Sequence, residues 1–502
     1  MQDYKQQIEE FNVNITSTID ESVRELSMTF DKLYDERNSK DIPTAIKTAK
    51  ALLSVDHNIP TKMQLYYDIA NAFHDLRVIQ CNEEVEKEHY LEKEIYYLRC
   101  ALDLFENNYT TDESDSAEVK VSQYIAMRSY TNLGNAYQAI GRYIVAIDCL
   151  QNALLISNDF AMASLNLSLL LFRCAPMQIN DYERNYFHHA CYHYYKQTES
   201  CKINLENPEY FERLKSYISL FKPAYVESFL SKPLDLPAFN VDSQDEADYR
   251  NYLLLFRLFL EPCLDILSDP CFAVDSLNLP FKEPYTDRQK EFIGLFNQIK
   301  QEYNWARLLW YKTSSVESYE HYSNRELDLL DMGDCADHSL KESMMRTAFK
   351  ASYSLFDRIG FFINEYFEVG LTGTKISFKN IWKDKLIDGQ GKPYFLIPHP
   401  ITTAHSNNPL VWAMYWLQKD FYEKKELNIT TPHAVPIFKM RNDMEHNCLR
   451  TGWQSYNASF TNYTTGGKIE NNTFRLLKLA RELTIYLCLA VKYDIENGQN
   501  HS

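Results

Sequence analysis

The chain is predicted to be all-α, and three features of the sequence predict it. Glycine is scarce, 13 in 502 residues, well under the ~7% usual in globular proteins, and sheets and tight hairpins consume glycine. Helix-forming Leu, Ala, Glu and Lys are plentiful. Apolar residues recur at three- and four-residue spacing, most clearly from Ser339 to Val369. A chain of this length holds two to four domains with ample core. The expected division is an N-terminal helix (1–35), a helical-repeat region (36–175), a helical connector (176–335) and a C-terminal four-helix domain (336–502).

Within 36–175 the clearest unit runs from Met127 to Asn158, and its Leu133-Gly134, Tyr137, Gly141, Tyr143, Ala146, Leu150 and Ala153 follow a helix–turn–helix repeat. Small residues at Gly134 and Ala146 let two antiparallel helices approach, with Tyr137 and Leu150 filling the groove beside them. Ile69 to Phe73 repeats the first half of this pattern, and Ala45, Ala49 and Leu52 the second half. Phe160 to Phe172 supplies one further packing helix, and Thr110 to Glu118 a solvated loop. The unit resembles the tetratricopeptide family closely. Such stacks need neighbours to bury a core and leave a concave face for a partner.

The connector is predicted to carry helices over Tyr182–Gln197, Glu246–Leu267 and Thr286–Lys312, broken by six prolines, with Trp305, Trp310 and Tyr311 packing it. In the last domain, Ser339–Val369 buries Met344, Phe349, Tyr353, Phe356, Ile359, Phe362, Ile363 and Tyr366. Pro409–Lys425 forms a second helix. A third begins at Pro436, a favoured first-turn residue, and stops near Gly452, a favoured C-terminal cap. A fourth runs from Thr473 to about Ile495 after the loop Thr464 to Gly467.

The third helix carries the chemistry. At ~100° per residue, Ile437, Met440, Met444 and Cys448 form one apolar stripe, and His446 points almost opposite it. Asn442 lies one turn before His446, Arg450 one turn after and Lys439 two turns before, with Arg441 between the polar face and the core edge. Asp443 and Glu445 fall to the sides. Histidine moves protons near neutral pH, and the planar fork of arginine matches phosphate oxygens.

The arrangement Arg441-Asn442-x3-His446 on the third helix of a four-helix domain resembles the HEPN superfamily, specifically the type that follows tetratricopeptide repeats. That resemblance implies a metal-independent endoribonuclease working as a homodimer, in phage defence or toxin-type growth arrest. It assigns Arg441 and His446 as the catalytic pair, with Asn442 the polar residue beside the arginine. Asp357, Asn364 and Glu365 are the candidates for a further polar position on the first helix. Lys439 and Arg450 would attract the RNA backbone. An unknown protein or signal is expected at the repeats. The alternative is a non-catalytic adaptor whose HEPN-like domain only dimerises or binds a partner.

Charge and composition set limits. The net charge is −17, yet residues 336–502 hold 20 Lys/Arg against 16 Asp/Glu, a net of +4, and the rest carries −21. Phosphate can approach the last domain while the acidic bulk repels it. The 11 cysteines are scattered without a C-x-x-C pair, as reduced thiols are. No run of 18 apolar residues and no apolar N-terminal core is present, so a soluble cytoplasmic protein with no membrane partner is expected. His188, His189 and His193 have metal-like spacing but lack a completing carboxylate, and neither a metal nor a cofactor is expected. No glycine-rich phosphate loop or nucleophile-elbow serine appears.

Overall fold

The computed structural model describes residues 14–79, 84–109, 116–201, 208–220, 241–314, 322, 326–329, 336–382, 384–387, 393–396, 407–420, 429–452 and 462–497. The fold is all-α. It divides into two compact units. The first draws on 1–173, 188–227 and 427–432, the second on 174–187, 228–426 and 433–502.

In the first unit, α1 (Glu21–Asp35), α2 (Ile42–Leu52), α3 (Ile59–Ile79), α4 (Glu84–Asn108), α5 (Ala117–Ala139) and α6 (Tyr143–Ile156) pack as successive hairpins. α7 (Ala161–Cys174) continues the stack, and Ser168 on it donates to the Cys191 carbonyl of α8 (Asp181–Cys201) at 2.7 Å. The close approach expected at Gly134 is present: a Cβ there would lie 2.8 Å from Leu150 Cγ and 3.3 Å from the Ala146 carbonyl oxygen. Tyr137, Ala146, Leu150 and Ala153 are fully buried. Of the upstream half-repeat, Ala45 and Ala49 are buried while Leu52 is only half-buried. Much of the expected loop, 110–115, lies outside the described residues. A short segment from far down the chain belongs here too. Thr430 and Thr431 are buried, and Arg99 on α4 donates to the Thr430 carbonyl at 3.4 Å. The histidine cluster on α8 packs against rings: His188 tilts on Phe172 and His193 meets Tyr194 edge-on.

The first unit also hides a carboxylate. Asp68 on α3 is buried, accepting 2.6 and 2.7 Å bonds from Ser27 and Gln64. Burial outweighs these bonds and raises its pKa to about 7.

The second unit is built on α11 (Asp287–Ser314), α12 (Leu340–Tyr366) and α15 (Gly466–Glu496), which pack on one another, with α13 (Pro409–Leu417) against α15. Ser339 caps α12 by accepting from the Glu342 amide at 3.2 Å, the first half of a capping box. α12 buries the expected residues except that Met345, not Met344, turns fully inward. α15 begins at Gly466, ahead of the predicted Thr473, because Thr465 accepts from the Lys468 amide and both glycines enter the first turn. α13 ends at Leu417 and a 3-10 turn follows to Asp420; the remainder of the predicted helix lies outside the described residues.

The predicted Glu246–Leu267 helix is much shorter, because α10 (Gln244–Leu255) stops at Leu255. Two buried arginines explain this. Arg307 on α11 donates to the Leu258 carbonyl at 2.9 Å and forks onto Asp275 at 2.9 and 2.7 Å. Arg481 on α15 donates to the carbonyls of Phe259 and Glu261 and forks onto Asp265 at 2.7 and 3.2 Å. Carbonyls that a continuing helix would have used are taken by guanidinium groups, and Pro262 has no N–H to offer. Trp310 is buried and stacks on Phe474 at 5.3 Å, and Tyr311 packs on Tyr249 and Tyr252. Trp305, expected to pack as well, is instead 51% exposed. A further helix, α9 (Pro208–Leu220), belongs to the first unit.

Two small strand pairs interrupt the helices. β1 (Asp384–Ile387) and β2 (Pro393–Leu396) are antiparallel, and β3 (Leu449–Thr451) and β4 (Asn462–Thr464) are parallel. Gly360 on α12 lets the following loop touch the helix: a Cβ there would lie 2.6 Å from the Phe378 backbone nitrogen. Among the described residues no helix is long and apolar enough to cross a membrane.

Substituting Gly360→Ala forces backbone from backbone, and a loss of about 1–3 kcal/mol in chemical denaturation is expected. For Asp68 the sign runs against the common carboxylate. Between its ordinary 3.8 and about 7 the folded state keeps a proton that the unfolded chain has lost, so its contribution falls as pH rises. Melting curves of Asp68→Asn should therefore decline less than the parent's across that same window, from about pH 4 to about 7.

Candidate functional site

The helix carrying the motif, α14 (Ala434–His446), rests on α12. Its inner face is Ala434, Ile437, Met440 and Asp443. Met440 receives the Asn472 side-chain amide of α15 on its sulfur at 3.7 Å. Lys379 sits over the Phe438 ring at 5.7 Å.

Arg441 leaves this helix toward α12, where its guanidinium lies 5.5 Å from the centre of the Tyr353 ring. The buried Tyr353 hydroxyl is pushed well above its ordinary pKa by burial, against the pull of Arg441. One turn along α12, Asp357 accepts from the Phe378 amide at 3.2 Å. Asp357 is exposed as a whole residue, yet the packing around its carboxyl raises its pKa; the Phe378 amide and Arg441 oppose that rise. Of the three polar candidates on this helix, Asp357 is thus the one that Arg441 acts on electrostatically. Asn364 is consumed in closing the loop to Leu371, with bonds of 3.1 and 3.0 Å, and Glu365 accepts from Asn364.

Arg441 Nη1 lies 3.1 Å from Asn442 Oδ1 and 3.3 Å from His446 Nε2. A guanidinium can only donate, so a hydrogen bond at this contact requires Nε2 as the acceptor, with the imidazole proton on Nδ1. His446 is exposed, as is Lys439, while Arg441 and Asn442 are half-buried. One guanidinium, one amide and one exposed imidazole are gathered at the end of a single helix.

Several expectations for this helix need correction. α14 ends at His446, not near Gly452. Asn447 turns into extended backbone, φ −123° and ψ −171°, and β3 follows. Arg450 is therefore not one helical turn beyond His446; it sits in the middle of β3, where its Nη1 reaches the Tyr463 hydroxyl at 3.3 Å. Cys448 is exposed and Met444 half-buried, so the apolar stripe fades after Met440. Asp443, expected to one side, is buried, and its Oδ1 accepts from Asn447 at 3.0 Å and Asn462 at 2.7 Å. Glu445 does lie outward, pairing with Lys350 at 3.4 Å.

β3 is anchored on its far side as well. Thr451 bonds Glu342, Arg346 donates to the Thr451 hydroxyl at 2.8 Å, and the Asp337 amide donates to the Thr451 carbonyl. The sequence signal for the strand pair lies in Asn447 and Asn462 and in Thr451, Thr461, Thr464 and Thr465. Such side chains offer the backbone hydrogen bonds that compete with a helix. Among the described residues no three His, Cys, Asp or Glu side chains converge as metal ligands.

Residues 285–494 match the LA2681-like HEPN family, so a HEPN-family domain occupies this part of the chain. The match opens just before α11 and includes it, ahead of the boundary drawn at 336. No curated protein matches the chain, and no solved structure does.

Proposed function

We propose that this HEPN-bearing chain is an endoribonuclease that cleaves RNA by attack of a ribose 2′-hydroxyl on the adjacent phosphate. The observation that carries this reading is the 3.3 Å approach of the Arg441 guanidinium to Nε2 of the exposed His446, inside the HEPN match. When a phosphodiester enters, its oxygens compete for the guanidinium, and Arg441 moves from the imidazole to the phosphate. Nε2 is then free to take the 2′-hydroxyl proton. The O2′–P bond forms and the P–O5′ bond breaks, with the proton returning to the departing 5′ oxygen. The products are a 2′,3′-cyclic phosphate and a free 5′-hydroxyl. Arg441 holds the negative charge that gathers on the phosphoryl oxygens, and Asn442 orients the guanidinium through their 3.1 Å bond. The Tyr353 ring beneath fixes the starting position of the guanidinium.

No metal enters this step, and the exposed Lys439 and Arg450 on β3 draw in the RNA backbone. The stacked hairpins of the first unit act as a tetratricopeptide module that docks a protein or signal. A symmetric copy would close the open side of His446, which makes a homodimer the working state. Phage defence or toxin-type growth arrest is the role that suits such a pairing of modules.

The test is incubation of the purified protein with total RNA in EDTA, followed by end analysis for 2′,3′-cyclic phosphate. His446→Ala and Arg441→Ala should each lower cleavage by about 10²–10⁴-fold while leaving the helical spectrum intact. Equal inertness of parent and variants supports the adaptor reading, in which the domain only dimerises or binds a partner. Binding gives a separate check. In a His446→Ala background, adding Arg450→Ala should lower the slope of log Kd against log salt for single-stranded RNA by roughly 0.7, as one lost phosphate contact does.

A further inference from the structure

We propose that Asp443 is a positioning residue, which sets His446 and Arg450 relative to one another without touching substrate. The proposal rests on the nuclease reading above. A carboxylate on the inner face of an amphipathic helix calls for a reason, because an unpaired buried charge is costly. Here the reason is a fork. Asp443 Oδ1 accepts from the side-chain amides of Asn447, the residue that ends α14, and of Asn462, the first residue of β4.

Those two partners sit at the points where the backbone is redirected. Asn447 is where the helix becomes extended chain, directly after His446. Asn462 donates its own backbone amide to the Cys448 carbonyl at 3.0 Å, which opens the β3–β4 pairing; Gly452 donating to the Thr464 carbonyl at 3.0 Å closes it. One oxygen atom thus joins the helix end to the strand pair that carries Arg450 and its partner Tyr463.

The alternative geometry is the one plain helical continuation gives, with Arg450 one turn beyond His446 and pointing the same way. The Asp443 fork replaces it. The imidazole stays at a helix end, beside Arg441, while the second guanidinium approaches from a strand. His446 is exposed and meets Arg441 from its own helix, and Arg450 is half-buried and meets Tyr463 from the neighbouring strand, so each head group is held by a partner on the helix or strand pair that carries it. The position of one element against the other, and with it the spacing of the two head groups, is set by the backbone that Asp443 holds.

The experiment uses full-length protein labelled at the histidine Cε1 position. The His446 signal is assigned by its loss in His446→Gln. Asp443→Ala removes the acceptor; Asn462→Ala and Asn447→Ala each remove one donor and keep the test open if the first variant fails to fold. The expected result is a displaced His446 signal in each folded variant. Cleavage should show kcat down by about tenfold to hundredfold, with KM within about threefold. Asp443→Asn, which keeps an oxygen in place, should restore both signal and rate. A native His446 signal and unchanged kcat in folded variants lacking the acceptor or the Asn462 donor would overturn the proposal. Should the parent itself fail to cleave RNA, the nuclease reading falls, while the His446 signal still decides whether Asp443 positions the ring.

Discussion

The pairing of Arg481 with Asp265, both out of solvent, is the constraint on which the second unit depends. The guanidinium comes from the middle of the 31-residue α15 and takes two carbonyls as well as the carboxylate. Desolvating such a pair is expensive, and its removal by half leaves a stranded charge, typically a loss of about 3–5 kcal/mol. Arg307 repeats the device from α11, on Asp275 and the Leu258 carbonyl. Together they bind the irregular segment 258–275 to the two long helices that flank α12. α12 in turn is the floor under Arg441. The Arg441–His446 contact at the helix end is therefore supported, two layers down, by these ion pairs.

The helical character of the chain was legible because it is a matter of composition and periodicity, and both act locally. Ser339-Leu340-Lys341-Glu342 announces the start of α12, and Phe349, Tyr353 and Phe356 announce its buried side. Gly134 against Leu150 was legible for the same reason: a repeat sets which residue faces which. The association of Arg441, Asn442 and His446 follows from neighbours on one helix.

What could not be read came from contacts distant in sequence. Nothing near Leu255 says that α10 stops there, since the groups that take the Leu258 and Phe259 carbonyls lie 49 and 222 residues further on. The placement of Arg450 failed for the same kind of reason. Helical geometry put it above His446, but Asp443 and Asn462, 19 residues apart, divert the chain into a strand first. Helical spacing assigned Asp443 to a flank of the Ile437–Met440 stripe; its two amide partners explain its burial. Met344 and Met345 exchange roles within the tolerance of any periodic reading.

Thr430 and Thr431, seated with the first unit beneath Arg99, have a consequence for biosynthesis. The first unit is not complete when its segments 1–173 and 188–227 have emerged; its last piece, 427–432, arrives only after the long intervening stretch has been made. Directly after that piece the ribosome begins α14. Completion of the first unit and appearance of His446 are thereby timed to the same stage of translation.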